Sequence, residues 1–428
     1  MCRWITLLST ESFSLSDIVL SPSNSMVQMS IDASFHPGYG DTNNHVMNGD
    51  GFGVGWYHSN QYVDKSSHHH SIQNSVNGSS GSKENGTELG NSTEQSPVMV
   101  VAVRSAAVFK DVLPAWNNIN LKEICQATTS DCMMAHVRAA SKGSGVSQQN
   151  CHPFKAGRLM FCHNGRIDSF VLLRRRFHAL LSDEAYLGIR GSTDSEFIFA
   201  LILTILSNDG KSEISPMEQT KPFEHNRLIA ALKKVLRMIE DVQEQAGLDQ
   251  GFNTCNFALT DGETMVVTRY CDKSPTVPAP SLYFAYGYAQ DLYHEITEEE
   301  PQPIMNGISH HSSAVDVAHS YGKQHSSNGS SNGDTDATSV NTNSEDEDNN
   351  EEDMEPVKLK YALSTPGRIF GDIDPKMACL VVCSTPLTRT HSWHRIPANA
   401  ILYYKRGCFP ELRLLKTRHQ TLSMISIN

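Results

Sequence analysis

The sequence predicts an α+β protein in which sheets are covered by helices. Three observations carry this: eight short runs rich in β-branched and aromatic residues, three longer stretches with helical spacing, and two polar tracts that interrupt them. A chain of 428 residues is enough for one large domain or two ordinary ones, and no tandem repeat divides it.

The strand-like runs are residues 98–104, 132–138, 158–162, 254–259, 264–270, 281–286, 378–383 and 400–404. Helices are expected over 169–181, 194–206 and 226–245. In the last, Leu228, Ile229, Leu232, Val235, Leu236, Ile239 and Val242 recur at helical spacing, and Gly247 follows as a stop signal. The second opens on Thr193 and Glu196, a T-x-x-E capping box before an apolar run. Residues 65–96 are Ser, Asn, Gly and His with almost no large apolar side chain. Residues 305–356 are similar and end in an acidic run. Neither buries enough apolar surface to offset chain entropy, so both are expected to be disordered insertions.

Composition excludes several classes. Of the net charge of −12, −10 falls within 305–356, where eleven Asp or Glu face one Lys. The remainder, about −2, lacks the concentrated Lys and Arg that phosphate binding needs, which argues against a nucleic-acid partner. Ten Cys in a chain this long do not form the framework of a small secreted protein. No run approaches the ~20 apolar residues of a membrane span, and the short apolar patch at 1–8 is too brief for a signal-peptide core. A cytoplasmic protein with reduced thiols is expected. His68, His69 and His70 sit in a polar tract and read as an incidental surface run rather than a metal site.

Cys2 is the first residue with chemical content. Removal of Met1 would leave it with a thiol and a free α-amine of pKa about 7.7–8.0, so nucleophile and base would share one residue. Four segments add to it. Asn48-Gly49-Asp50-Gly51-Phe52-Gly53-Val54-Gly55-Trp56 reads as a glycine-rich turn entering a strand. Arg138, in Ala135-His136-Val137-Arg138-Ala139, ends an apolar strand and is suited either to clamping a carboxylate or to a surface ion pair. Asn164-Gly165, after Phe161-Cys162-His163, offers a side-chain amide and a backbone N–H as an oxyanion hole does, or makes an ordinary turn. In Gly191-Ser192-Thr193-Asp194-Ser195-Glu196, capping accounts for Thr193 and Glu196 but less well for Asp194, which could face a ligand ammonium. A zinc site from Cys151, His152, Cys162 and His163 is disfavoured, because the two pairs are eleven residues apart across an apolar strand.

An N-terminal Cys followed in order by Arg138, the His163-Asn164-Gly165 motif and the Thr193–Glu196 motif resembles the class II glutamine amidotransferases, which are N-terminal-nucleophile hydrolases. With Met1-Cys2-Arg3, Asn150-Cys151-His152-Pro153-Phe154 and the glycine-rich segment included, the resemblance is strongest to a narrower branch. That branch comprises the amidotransferase-like subunits of fungal cytosolic glutathione-degradation complexes. The similarity also covers Pro114-Ala115-Trp116-Asn117-Asn118, 257–269 and 393–402, and so spans most of the chain outside the two insertions.

The resemblance implies a four-layer αββα sandwich forming one domain over 2–415, interrupted at 65–96 and 305–356. It implies a γ-glutamyl amide hydrolase that needs no cofactor and no metal, with Cys2 as nucleophile and its amine as base. Asn164 and Gly165 would hold the oxyanion, Arg138 the substrate α-carboxylate and Asp194 its α-ammonium. His136, His152 and His163 match motif positions and are expected to support strands. The substrate would be glutathione or glutamine, and a peptidase-like protein the partner. A subunit delivering ammonia to a separate synthase, or an inactive scaffold for such a partner, are the alternatives. Ala139 stands where many amidotransferases of this class have Trp, which weakens the ammonia-donor reading.

Overall fold

The computed structural model describes residues 2–33, 47–63, 100–140, 144–211, 214–293, 356–357, 373–389 and 393–415. All of them belong to one compact unit, Met1–Glu295 with Asp353–Asn428, and a second unit, Ile296–Glu352, lies outside the described residues. Of the tracts expected to be disordered, 65–96 and all of 305–356 except Pro356 also lie outside them, and Pro356 begins a short strand.

The first part of the chain forms strands β1 (Arg3–Ser14), β2 (Phe52–Val63), β3 (Val100–Asp111) and β4 (Thr129–Val137), with helices α1 (Leu15–Val19), α2 (Met26–Ile31) and α3 (Ile119–Ala127). Strands β5 (Phe154–Ala156) and β6 (Leu159–Arg166) follow. Then come α4 (Phe170–His178), α5 (Asp183–Gly188), α6 (Asp194–Ser207) and α7 (His225–Gln245). Next are β7 (Thr254–Thr260), β8 (Thr264–Arg269), β9 (Tyr283–Tyr288) and α8 (Ala289–Tyr293). The last strands are β10 (Pro356–Val357), β11 (Ala378–Cys383), β12 (His394–Arg395), β13 (Ala400–Lys405) and β14 (Glu411–Leu414). They pair antiparallel into two seven-stranded sheets. Sheet one has the order β12-β9-β11-β1-β4-β2-β3, and sheet two the order β10-β14-β13-β8-β7-β6-β5. The protein is thus α+β with two antiparallel sheets.

Strand alternation sorts the core. Trp4 and Leu8 of β1 cluster with Met160 and Cys162 of β6 and Met265 and Val267 of β8, so this cluster draws on both sheets. Ile5 and Leu7, facing the other way, pack with Leu15, Ile18, Met26, Met29 and Leu121 of α1, α2 and α3. Phe161, Phe257 and Leu259 of sheet two pack with residues of α4, α6 and α7. The seven apolar positions expected to line α7 are all buried, each contributing about 1.5–3 kcal/mol relative to exposure. Helix α6 begins where expected. Thr193 accepts from the Glu196 N–H at 3.2 Å. The Glu196 carboxylate does not return to Thr193, however, and takes the N–H groups of Arg190 (2.8 Å) and Gly191 (2.6 Å).

Two features go beyond the sequence reading. The N-terminal patch is a 12-residue strand, β1, held between β11 and β4 in the interior of sheet one. Arg3 to Thr6, Leu7, Leu8 and Ser9 are all buried, so the strand lacks the polar–apolar alternation that marks a half-exposed one. The glycine-rich segment does turn and enter a strand as read, at Phe52, but its glycines serve more than the turn. Gly51 has φ +110°, but Gly53 and Gly55 lie within β2. A Cβ on Gly53 would lie 2.1 Å from the His152 carbonyl oxygen, and one on Gly55 would lie 2.6 Å from Met160 Sδ. These glycines let residues 151–153 lie directly against the strand.

Candidate functional site

Cys2 sits at the head of β1. The register that sets Arg3 against Val137 brings Cys2 to the end of β4, next to Arg138 and Ala139. The thiol is half-buried. Its Sγ accepts from the Ala139 N–H at 3.3 Å and lies 3.4 Å from the Ala139 carbonyl. Burial pushes the thiol above its ordinary pKa, and the Ala139 N–H and the Arg138 charge pull it back in part.

Arg138 is only 3% exposed. Its Nη2 donates to Ser144 Oγ at 3.0 Å and to the Gly145 carbonyl at 3.1 Å, while Nη1 has no partner among the described residues. No carboxylate pairs with it there, so the surface ion-pair alternative does not describe this guanidinium. The glycine-rich segment closes over the same place. Arg138 N–H donates to Gly51 O at 2.9 Å, and Asp50 Oδ2 accepts from Ala140 N–H at 2.7 Å.

Asn164 reaches this group from sheet two. Its Nδ2 donates to the Cys2 carbonyl at 2.6 Å and lies 3.5 Å from Ser384 Oγ. Ser384 in turn accepts from the Trp4 N–H and donates its own to the Trp4 carbonyl, both at 3.0 Å, which fixes the start of β1. Gly165 is exposed. Any Cβ there would lie 1.8 Å from the Thr254 carbonyl oxygen, so only glycine fits this pairing of β6 and β7.

Asp194 is the first residue of α6, and it is joined to the others indirectly. Its Oδ2 accepts from the Ile167 N–H at 2.9 Å, just beyond β6. His163, on the face of β6 opposite to Asn164, lies 2.9 Å from Ser195 Oγ through Nδ1 and 3.1 Å from the Thr254 carbonyl through Nε2. Burial pulls the imidazole down, with Asp194 and the Thr254 carbonyl opposing. Nε2 faces only an acceptor and so carries a proton, while Ser195 Oγ lies between Nδ1 and Asp194 Oδ1, the latter 3.3 Å away. A second bridge is Asn150. Its Nδ2 donates to the Gly145 carbonyl that also binds Arg138, and its Oδ1 accepts from Ser192 N–H, both at 2.9 Å. Cys2, Arg138 and Asn164 are thus brought together directly, and Asp194 through His163, Ser195 and Asn150.

The sequence reading missed the roles of Asn150, Ser384 and Asp50. Asn150 stood in a quoted motif, but nothing local distinguishes a polar residue that bridges two distant segments. His136 and His152 lie with ring centroids 4.2 Å apart, and their nitrogens have no hydrogen-bond partner among the described residues. Burial pulls His136 down to about 3 and His152 well below its ordinary value, so both are neutral. Among the described residues, no group of three or more His, Cys, Asp or Glu is placed to hold a metal ion. No helix there is long and apolar enough to cross a membrane. A thiol, an unpaired guanidinium, a side-chain amide and a carboxylate at a helix start form a set suited to acyl transfer from a zwitterionic substrate.

Residues 99–277 match the sequence profile described as class-II glutamine amidotransferases. Over 290 residues the chain is 33% identical to the probable glutamine amidotransferase DUG3 of Saccharomyces cerevisiae, covering 67% of this chain and 68% of that protein. Among solved structures it is similar to a glutamine aminotransferase class-II domain protein from Silicibacter pomeroyi. That match has 16% identity and TM-score 0.44, covering 97% of this chain and 100% of that one. It is also similar to glutamine phosphoribosylpyrophosphate amidotransferase from B. subtilis, at 11% identity and TM-score 0.38, covering 96% of this chain and 49% of that one.

Proposed function

The chain belongs to the class-II glutamine amidotransferases, and from that membership we propose that it hydrolyses γ-glutamyl amides through Cys2 once Met1 is removed. The observation that carries this reading is Arg138. A buried guanidinium beside a thiol, with Nη1 free and no counter-charge among the described residues, is costly unless a ligand anion completes it. A γ-glutamyl head group offers a carboxylate for Arg138 and an ammonium for Asp194.

The reaction runs as acyl transfer. The Cys2 α-amine takes the thiol proton, Sγ attacks the γ-carbonyl, and the Asn164 amide and Gly165 N–H stabilise the oxyanion. The amine passes the proton to the leaving group as the C–N bond breaks. Water then attacks the thioester, releasing glutamate and the free thiol. A thiol held above its ordinary pKa by burial needs such a base.

On this reading the substrate is glutathione, cleaved in the cytoplasm to glutamate and Cys-Gly, with a peptidase-like partner taking the dipeptide. The same reading includes an αββα layering of one domain over 2–415. Its support is one core cluster shared by both sheets and one on the outer face of each.

Intact mass after incubation with glutathione tests the mechanism. The expected result is a glutamyl adduct on a chain lacking Met1, absent in Cys2→Ala, and glutamate release that stops in the same variant. Undiminished release by Cys2→Ala would overturn it. Release from glutamine alone would favour ammonia delivery, and no release from any γ-glutamyl compound would favour a scaffold.

A further inference from the structure

A cleft of about 480 Å³ opens among β3, β5, α5 and α6, and none of Cys2, Arg138, Asn164 or Asp194 lines it. Its volume is in the range of small-molecule sites. Phe154, Ile189, Phe199, Leu203 and Met217 give it apolar walls. Lys110 of β3 reaches into that lining, with its ammonium 4.8 Å from the centre of the Phe154 ring.

No acceptor for the Lys110 ammonium is found among the described residues. The one carboxylate in the wall, Glu196, is already occupied by the N–H groups of Arg190 and Gly191. The neighbouring Lys155 is engaged with the Ala106 carbonyl at 2.8 Å. Burial pulls the Lys110 ammonium below its usual range, and the Glu196 carboxylate opposes this. An aromatic face stabilises a cation in part, and a half-buried ammonium with three donors at the edge of apolar walls is suited to an anionic acceptor. The walls require that acceptor to carry an apolar body, and the Glu196 charge disfavours a second negative group on it.

We propose that this cleft binds an amphipathic monoanion, a carboxylate on an apolar body, with Lys110 as its charge partner. The site is separate from the thiol site, and its occupancy is read without any turnover.

Calorimetric titration of the full-length protein with octanoate, and with octanol as the uncharged control, tests it. Saturable binding of octanoate at one site is expected, and octanol should bind about tenfold or more weakly. Lys110→Gln should lose about tenfold or more in affinity, the loss that goes with one charge-assisted hydrogen bond. Lys110→Arg should retain binding, which separates lost charge from a damaged fold. Ala156→Phe, filling the cleft from β5, should abolish it. Absence of saturable octanoate binding would overturn the proposal. So would equal affinity for octanol, or octanoate affinity unchanged in both Lys110→Gln and Ala156→Phe.

Discussion

At Arg138 two hydrogen bonds hold one side of the guanidinium and leave Nη1 open, so the side chain is aimed rather than merely buried. An ammonium cannot keep the Ser144 and Gly145 bonds and still present a further fixed donor where Nη1 stands. Arg138→Lys is therefore expected to lower kcat/KM on glutathione. So is Asp194→Asn, which keeps shape and loses charge. The loss of one partner from a desolvated pair costs on the order of 2–5 kcal/mol, roughly thirtyfold to several thousandfold in steady-state rate. Wild-type kcat/KM for Asp194→Asn on glutathione, glutamine and a γ-glutamyl anilide would reduce Asp194 to a helix-start residue. Cys2, Arg138, Asn164 and Asp194 each stand in a short motif, which is why the sequence singles them out, and the structure brings the first three together. The link from His163 through Ser195 was not, since the two are 32 residues apart and meet only when α6 packs on β6.

Among the elements, β2 shows what glycine does when it is part of a strand. Gly53 pairs with His136 and Lys110 on its two neighbours, and its missing Cβ leaves room for the His152 carbonyl. Gly53→Ala must push residues 151–153 away, and overpacking of this kind costs about 1–3 kcal/mol. Asn150 lies next to that segment and ties Gly145 to Ser192, so the same variant should also raise KM. Chemical denaturation and kinetics on one preparation check both, and unchanged values in both would show that the segment yields freely. Thr193→Ala should cost about 1 kcal/mol by loss of the cap. Helices α6 and α7 were readable from periodicity and capping. Strand β1 was not, because a central strand buried on both faces has no alternation to read.

For the whole molecule, a charge cluster joins the sheets at the end of β1 and β4 remote from Cys2. Asp131 of β4 binds Arg104 of β3 and Arg406, which follows β13, the latter at 2.7 Å. Arg406 also meets Glu263 at 3.1 Å and donates to the Ser9 carbonyl. Arg104 and Asp131 are only 17% and 21% exposed, so the desolvation of an unpaired survivor matters. Burial pushes the Asp131 carboxyl up, but Arg104 and Arg406 outweigh it and hold the group below its usual range. The stability it contributes is therefore complete above the ordinary carboxylate value and is lost as pH falls through the lower, folded value. Asp131→Asn is expected to lose about 3 kcal/mol near neutral pH, with the gap to wild type closing as pH drops below about 4. Urea unfolding at about pH 7 and about pH 3 measures this, and a gap that stayed constant would assign the cluster no acid dependence.

The strand order of sheet one also sets a timetable for synthesis. Strand β1 takes its first neighbour, β4, from residues 129–137, but its second, β11, only from 378–383. At about 5–20 residues per second on the ribosome, the head of the chain waits roughly 20–75 s for the strand that flanks it on the other side. Through that interval the head of β1 has only one of its two flanking strands. After β11 docks, Arg3 to Ser9 are buried. On the mechanism proposed above, freeing the Cys2 amine can therefore precede completion of sheet one, and the topology gives processing a long head start.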